Sequence, residues 1–161
     1  MSPGCQVLRG YALFLEWNAG ANAYDLVFRL GNGGGSGSRV TAAGAVPPNQ
    51  PTFVAATVAW QPGNSAEVRL YVNGSLVQMG SISYVNATNV ASPADLWLAG
   101  YHAALPSNSC AGAGFPVEPA GPFFGNRLRL DEWELWSRVL SPAEVAALYN
   151  HEGAGQPKCT P

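Results

Sequence analysis

The stretch that decides the fold is Phe123–Asn150, FFGNRLRLDEWELWSRVLSPAEVAALYN. Its first half alternates in the manner of a β-strand, and its second half carries the start signal of a short helix. That signal is a capping box, in which the Ser141 hydroxyl accepts a hydrogen bond from the Glu144 amide and the Glu144 carboxylate accepts one from the Ser141 amide. Pro142 takes the first helical position, where a missing N–H breaks no bond.

The predicted helix spans residues 142–150 and has one apolar stripe. Val145, Leu148 and Tyr149 lie at i, i+3 and i+4, so they share one face of the helix. We expect this face to close over a β-sheet. The strand before the helix changes parity near residues 131–132, which predicts a β-bulge there.

The rest of the chain is strand-like. Alternating or apolar runs bounded by turn residues predict strands at Tyr11–Trp17, Asp25–Leu30, Phe53–Trp60, Glu67–Val72, Ser75–Val77 and Asp95–Gly100. Asn73-Gly74 predicts a type I′ hairpin turn, because both residue types tolerate a positive φ. We expect a flexible loop over residues 31–38 and a long irregular one over 101–124. The sequence shows no strand–helix–strand alternation, which favours an all-β sandwich of two antiparallel sheets.

Length and composition favour one domain. With 161 residues the chain can bury a real core, and we expect a single domain over 1–161, with its core in 10–150 and a tail in 151–161. Charged residues make up 11% of the chain, against about 25% in ordinary globular domains. The net charge of −2 offers no basic surface, which argues against a nucleic-acid partner.

Neither a membrane span nor a secretion signal is visible in the sequence. Apolar runs stay short of the ~20 residues that a membrane helix needs, and the opening MSPGCQVLRG lacks a basic segment followed by an apolar one. Low charge suits a surface that packs against neighbours, or a protein outside the cytosol. We therefore expect an extracellular or surface-displayed protein, with display on a virion included.

The three cysteines are Cys5, Cys110 and Cys159, and none belongs to a CxxC pair or a zinc-type Cys/His group. A disulfide between Cys110 and Cys159 would tie the long loop to the tail in an oxidising environment. Cys5 would then stay free or reach another chain. Buried, unpaired thiols are an equally open alternative.

Three segments resemble, in the same order, the laminin-G-like domains of the concanavalin A-like lectin and glucanase jelly rolls. They are GYALFLEWNAGANAYDLVFRLG at 10–31, FVAATVAWQPGNSAEVRLYVNGSLV at 53–77 and FFGNRLRLDEWELWSRVLSPAEVAALY at 123–149. The resemblance implies an all-β, two-sheet antiparallel jelly-roll sandwich with one short C-terminal helix. It also implies a recognition or assembly module and not an enzyme.

The N-terminus departs from this family pattern. Members of the family usually carry several strands before the first of these segments, and only about ten residues precede Tyr11. A trimmed domain, or strands supplied by a neighbouring chain, would account for the difference. Because an unpaired sheet edge favours pairing with another chain, we expect a homo-oligomer or a larger assembly.

Aromatic residues near loops are the candidates for binding a glycan or a protein surface. Tyr101 and Trp60 lie at predicted strand ends, and His102 opens the long loop. Core packing is the default interpretation for each aromatic candidate, because most lie in strand runs: Trp17, Trp60, Trp97, Tyr101, Trp133 and Trp136. Their positions beside loops make Tyr101 and Trp60 the better candidates for exposure.

Calcium is the cofactor that the resemblance implies, at a rim of the sandwich. A calcium site needs six to eight oxygen ligands, normally with two or more carboxylates. The candidate carboxylates near predicted loops are Asp95 and Glu118. Loop carbonyl oxygens would complete the shell.

Three functions follow from the resemblance. The first is a non-catalytic module for glycan or surface recognition and adhesion, and the second is a structural component of a larger assembly, such as a virion decoration or fibre protein. The third, a glycoside hydrolase, is disfavoured. Hydrolases of this fold use a Glu-x-Asp-x-x-Glu strand, and here Asp131 and Glu134 match the last two positions while Arg129 stands in the place of the nucleophile.

Overall fold

The computed structural model describes residues 11–31, 37–83 and 133–153. These residues form six strands and one helix: β1 (Tyr11–Asn18), β2 (Ala23–Gly31), β3 (Gly37–Val46), β4 (Val54–Gln61), β5 (Ser65–Val72), β6 (Ser75–Ser83) and α1 (Pro142–Gly153). Sheet A has the order β1-β2-β3 and sheet B the order β4-β5-β6, and every neighbouring pair is antiparallel. The predicted two-sheet sandwich with one short helix is confirmed.

The inner faces of the two sheets form the main core. Sheet A contributes Leu26, Phe28, Leu30, Val40, Ala42 and Val46, and sheet B contributes Val68, Leu70, Val72 and Ile82. β3 packs on β5 and β6, and a Cβ atom added at Gly80 would lie only 2.9 Å from Val40 Cγ2. The absent side chain at Gly80 therefore lets the sheets approach closely on the β3–β6 side.

The hairpin between β5 and β6 has the predicted turn. Asn73 and Gly74 have φ angles of 49° and 75°, as a type I′ turn requires at both central positions. A Cβ atom at Gly74 would lie 2.9 Å from Tyr149 Cδ1. Glycine at this position thus serves both the turn and the close approach of α1.

β3 is a strand that the sequence did not predict. It begins at Gly37, inside the loop expected over residues 31–38. Its apolar side chains are small, and Gly44 within it has a φ of 60°, so the strand lacks the bulky alternation on which the other predictions rested. The pairing of β3 with β2 is irregular at this point, since Val46 pairs with Tyr24 but Ala42 pairs with Leu26.

The segment before the helix also differs from the prediction. Residues 133–140 are the described part of the expected closing strand, and they are not in a strand. Four large apolar side chains of this segment are exposed by 44–64%: Trp133, Leu135, Trp136 and Val139. Alternation here therefore does not mark a core face. Among the described residues, none of the helices has the length and apolar character needed to cross a membrane.

Candidate functional site

The capping box holds the start of α1 as predicted. The Ser141 amide donates to Glu144 Oε2 at 2.8 Å, and the Glu144 amide donates to Ser141 Oγ at 3.3 Å. Arg138 Nη2 donates to the other carboxylate oxygen, Glu144 Oε1, at 2.7 Å. Glu144 is thereby tied at once to the helix start and to the segment before the helix.

The pKa of Glu144 reflects these bonds. The hydrogen bond from Arg138, followed by the bonds to Ser141, lowers the pKa of Glu144 from 4.5 to about 2. Because the folded-state pKa lies below the ordinary value, the charged carboxylate stabilises the fold above pH 4.5, and this contribution is lost as the pH falls towards 2. The ion pair with Arg138 consequently stays charged at neutral and mildly acidic pH.

α1 docks on the outer face of sheet B through a second apolar cluster. Val145 and Tyr71 are completely buried there, and Leu140 is 7% exposed. Phe53 packs against the same cluster, and its ring lies 5.9 Å from that of Tyr149. The predicted stripe of the helix does close over a sheet, and this docking fixes the position of the helix relative to the segment before it.

A groove lies between α1 and the segment before it. We name it the tryptophan groove; its volume is about 330 Å³, and it is lined by Trp136, Arg138, Leu140, Glu144, Ala147, Leu148 and His151. The volume is at the lower end of the ~300–1,000 Å³ that is usual for small-ligand sites. An apolar surface with a few polar groups at its margin is the lining expected of such a site.

Trp136 is the aromatic wall of the groove and is 46% exposed. Its Nε1 donates to Glu134 Oε2 at 3.1 Å. The guanidinium carbon of Arg138 lies 5.7 Å from the centre of the indole ring, within the range of a cation–π contact. These two contacts favour one orientation of the indole, and they leave an aromatic surface next to the Arg138–Glu144 ion pair.

Comparison with known families identifies the fold. A laminin-G-type profile, described as the Concanavalin A-like lectin/glucanases superfamily, matches residues 5–146. The chain belongs to this superfamily. The concanavalin A-like fold supports carbohydrate-binding and adhesion-type modules in general, and some members are glycosidases.

Curated sequences and solved structures provide one further similarity to this concanavalin A-like domain, and it is weak. No curated protein sequence matches it. A solved structure of an S-layer domain-containing protein from Clostridium thermocellum is similar, with 18% sequence identity and a TM-score of 0.40. The match covers 88% of this chain and 64% of that one, so the domain spans less than two thirds of the solved chain.

Of the binding residues predicted from the sequence, the structure places only Trp60. It lies near the end of β4, opposite Ala66 on the inner side of sheet B, and is 55% exposed. The tryptophan groove is on the other side of that sheet, so Trp60 does not contribute to it. The other predicted site residues lie outside the described residues: Tyr101, His102, Asp95, Glu118, Cys110 and Cys159.

The core interpretation was wrong for Trp17, Trp133 and Trp136, whereas Trp60 is exposed, as expected of a residue at a strand end beside a loop. Trp17, Trp60, Trp133 and Trp136 are each exposed by 46–55%. Alternation in a strand indicates on which face of the sheet a side chain lies. The side chain is buried only where another sheet or helix packs on that face. No local motif joins Trp136 to His151, 15 positions later, and the groove depends on how α1 docks.

Potential metal ligands are sparse in the described part of this concanavalin A-like domain. Within residues 11–31, 37–83 and 133–153, the His, Cys, Asp and Glu side chains form no group of three or more that could hold a metal ion. Asp25, a carboxylate of β2, accepts hydrogen bonds from Asn18 Nδ2 at 2.8 Å and from the Gly44 amide at 2.7 Å. These bonds, the Gly44 bond first, lower the pKa of Asp25, and they tie β1 and β3 to β2.

The core-side face of β1 is the second unusual surface of the domain. Tyr11, Leu13, Leu15 and Trp17 pair with the core residues of β2, yet they are 39–56% exposed. The aromatic rings contact neighbours in the same sheet: Tyr11 stacks on Phe28 at 6.5 Å, and Trp17 meets the edge of Tyr24 at 4.9 Å. We name these four residues the β1 stripe.

Proposed function

We propose that this domain is an extracellular, non-catalytic recognition module that binds a glycan in the tryptophan groove. The observation that carries the proposal is the half-exposed indole of Trp136 beside the Arg138–Glu144 ion pair, within a groove of about 330 Å³. A glycan is a ligand class consistent with a concanavalin A-like fold.

The chemistry of the groove matches that of a sugar ring. One face of a pyranose presents C–H groups, which pack on an aromatic ring, while its hydroxyl groups need donors and acceptors at the ring edge. Trp136 supplies the aromatic surface. Arg138 supplies N–H donors and Glu144 supplies acceptor oxygens, and their mutual bond at 2.7 Å holds both in place before a ligand arrives.

Glu134 is the acid that a hydrolase of this fold would use as its proton donor. Its carboxylate instead accepts the indole N–H of Trp136 at 3.1 Å, a contact suited to orienting the aromatic wall. Arg129, which stands in the place of the hydrolase nucleophile, cannot attack an anomeric carbon. These two features support recognition without hydrolysis.

Replacing Trp136 by alanine tests the proposal. We expect glycan affinity to fall by at least about thirtyfold, the equivalent of about 2 kcal/mol for an aromatic side chain that the bound ligand covers. Isothermal titration against the best ligand of a glycan array measures the change. Trp60→Ala is the matched control, since Trp60 is exposed to a similar degree but lies outside the groove, and Trp136→Phe should restore part of the affinity.

Two results of this titration would contradict the proposal. One is the absence of any glycan that binds the wild-type domain at millimolar concentration. The other is an equal loss of affinity for Trp60→Ala and Trp136→Ala, which would move the site to the inner face of the sandwich. Repeating the titration with a chelator tests the calcium site proposed at Asp95 and Glu118, since loss of binding would indicate a structural requirement for the ion.

The β1 stripe favours a second candidate function, contact within a larger assembly. We propose that this face pairs with another chain, because monomeric proteins rarely leave so many adjacent large apolar side chains exposed. Light scattering should then give a native mass of at least two chains, and Leu13→Lys should reduce it towards one. Ala43→Lys, an exposed position on β3, is the control, and a monomeric wild type would refute this candidate.

A further inference from the structure

We infer that the ligand of the tryptophan groove is a neutral glycan, and that uronic acids, sialic acids and sulfated sugars are discriminated against. The inference rests on the proposed function and specifies its ligand class. It depends on the ion pair that the guanidinium of Arg138 already forms with Glu144.

Among the described residues that line the groove, Arg138 is the only arginine or lysine. Its Nη2 donates to Glu144 Oε1 at 2.7 Å, and its guanidinium lies 5.7 Å from the centre of the Trp136 ring. An anionic sugar would need this guanidinium as its counter-ion, since bidentate pairing with arginine is how proteins hold carboxylates and sulfates. The guanidinium already has a carboxylate partner within the protein.

Glu144 cannot leave Arg138 without a further cost. Its second oxygen, Oε2, accepts the Ser141 amide at 2.8 Å and so belongs to the cap of α1. An anion that displaced the Glu144 carboxylate would leave two negative groups close to one guanidinium, and it would disturb the helix start that forms one wall of the groove. Like charges a few ångströms apart repel even near the protein surface.

A neutral pyranose meets no such obstacle. Hydroxyl groups need single donors and acceptors, and an arginine side chain keeps several N–H groups beyond the one given to Glu144. The ion pair can therefore hold a neutral sugar without breaking. Because the charges of Arg138 and Glu144 already neutralise each other, the groove favours an uncharged ligand.

The experiment compares matched sugars. Methyl glycosides of glucose, galactose and mannose are titrated against their uronic acid counterparts, which differ only in carrying a carboxylate in place of the C6 hydroxymethyl group. We expect the neutral member of a binding pair to bind at least about tenfold more tightly, and the gap to narrow at about 0.5 M salt because screening weakens the repulsion.

Glu144→Gln makes the test specific. Glutamine retains the capping box but releases the guanidinium of Arg138 from its charged partner, so the ratio of affinities should shift towards the uronic acid by at least about fivefold. Circular dichroism checks that α1 persists. Glu16→Gln is the matched control, since it breaks the exposed Arg39–Glu16 ion pair outside the groove and should leave the ratio of affinities unchanged.

Each outcome separates the two proposals. Tighter or equal binding of the uronic acids that depends on Trp136 would overturn the neutral-ligand inference and leave the groove as a glycan site. A preference for neutral sugars that responds neither to salt nor to Glu144→Gln would overturn the electrostatic reason for it. Failure of both sugar series to bind would reject the proposed function itself.

Discussion

Tyr71→Ala should destabilise the domain by about 3–5 kcal/mol, while Tyr71→Phe should stabilise it by about 1 kcal/mol. Tyr71 is completely buried beneath α1, together with Val145 and Leu140. Truncation to alanine removes an aromatic ring from the centre of this cluster and leaves a cavity. The phenylalanine variant retains the ring and removes only the hydroxyl group.

The opposite sign for phenylalanine follows from the environment of the hydroxyl group. The Tyr71 oxygen is buried and has no hydrogen-bond partner among the residues that the structure describes. A buried polar group without a partner loses its bonds to water and gains nothing in return. Its deletion should therefore raise the free energy of unfolding even though no contact is added.

Urea denaturation of the two variants beside the wild type measures both effects. The m-value should stay unchanged for Tyr71→Phe, since the surface exposed on unfolding is the same. Leu70→Ala is a useful reference, because Leu70 is equally buried but faces the main core. If Tyr71→Phe lowers the stability, the hydroxyl group has a hydrogen-bond partner in solution and the predicted gain in stability is wrong.

The parts of the fold with a strong local signal were predictable from the sequence. Ser141 and Glu144 lie three positions apart before an apolar stripe, and the helix begins at Pro142 as expected. Asn73 and Gly74 are residue types that tolerate a positive φ, and both adopt a positive φ in the turn. Such signals act within a few residues and need no knowledge of what lies opposite.

Other features depended on tertiary packing and could not be derived in this way. β3 is held in sheet A by pairing with β2, and its Val40 packs against Gly80 of β6, while its own mostly small residues give a weak strand pattern. The exposure of Trp136 depends on whether another part of the molecule packs over the segment before α1. The groove forms only when α1 lies in a fixed position relative to residues 136–140. The docking of α1 on sheet B determines that position.

The second large effect is expected for Val145→Asp, which should abolish glycan binding in the groove. Val145 is completely buried where α1 meets sheet B. An aspartate there would be a buried charge without a partner, a cost of about 3–5 kcal/mol, and the helix can avoid it by leaving the sheet. The groove would then lose the wall that carries Glu144, Ala147 and His151.

The sandwich itself should survive this change, because Val145 does not belong to the main core. That core lies between the two sheets, whereas the cluster of Val145 lies on the outer face of sheet B. We expect circular dichroism to show loss of the helical signal with the β signal retained, and titration to show no glycan binding although Trp136 is intact.

Ala143→Asp is the matched control for the added charge. Ala143 is exposed in the first turn of α1, where an acidic side chain interacts favourably with the helix dipole, so this variant should keep both the helix and the affinity. Glycan binding that persists in Val145→Asp after the helical signal is lost would show that α1 is not part of the site. Trp136 would then bind the glycan without the wall that faces it across the groove. Recognition by an exposed tryptophan alone does not need the C-terminal helix, whereas recognition by the groove does.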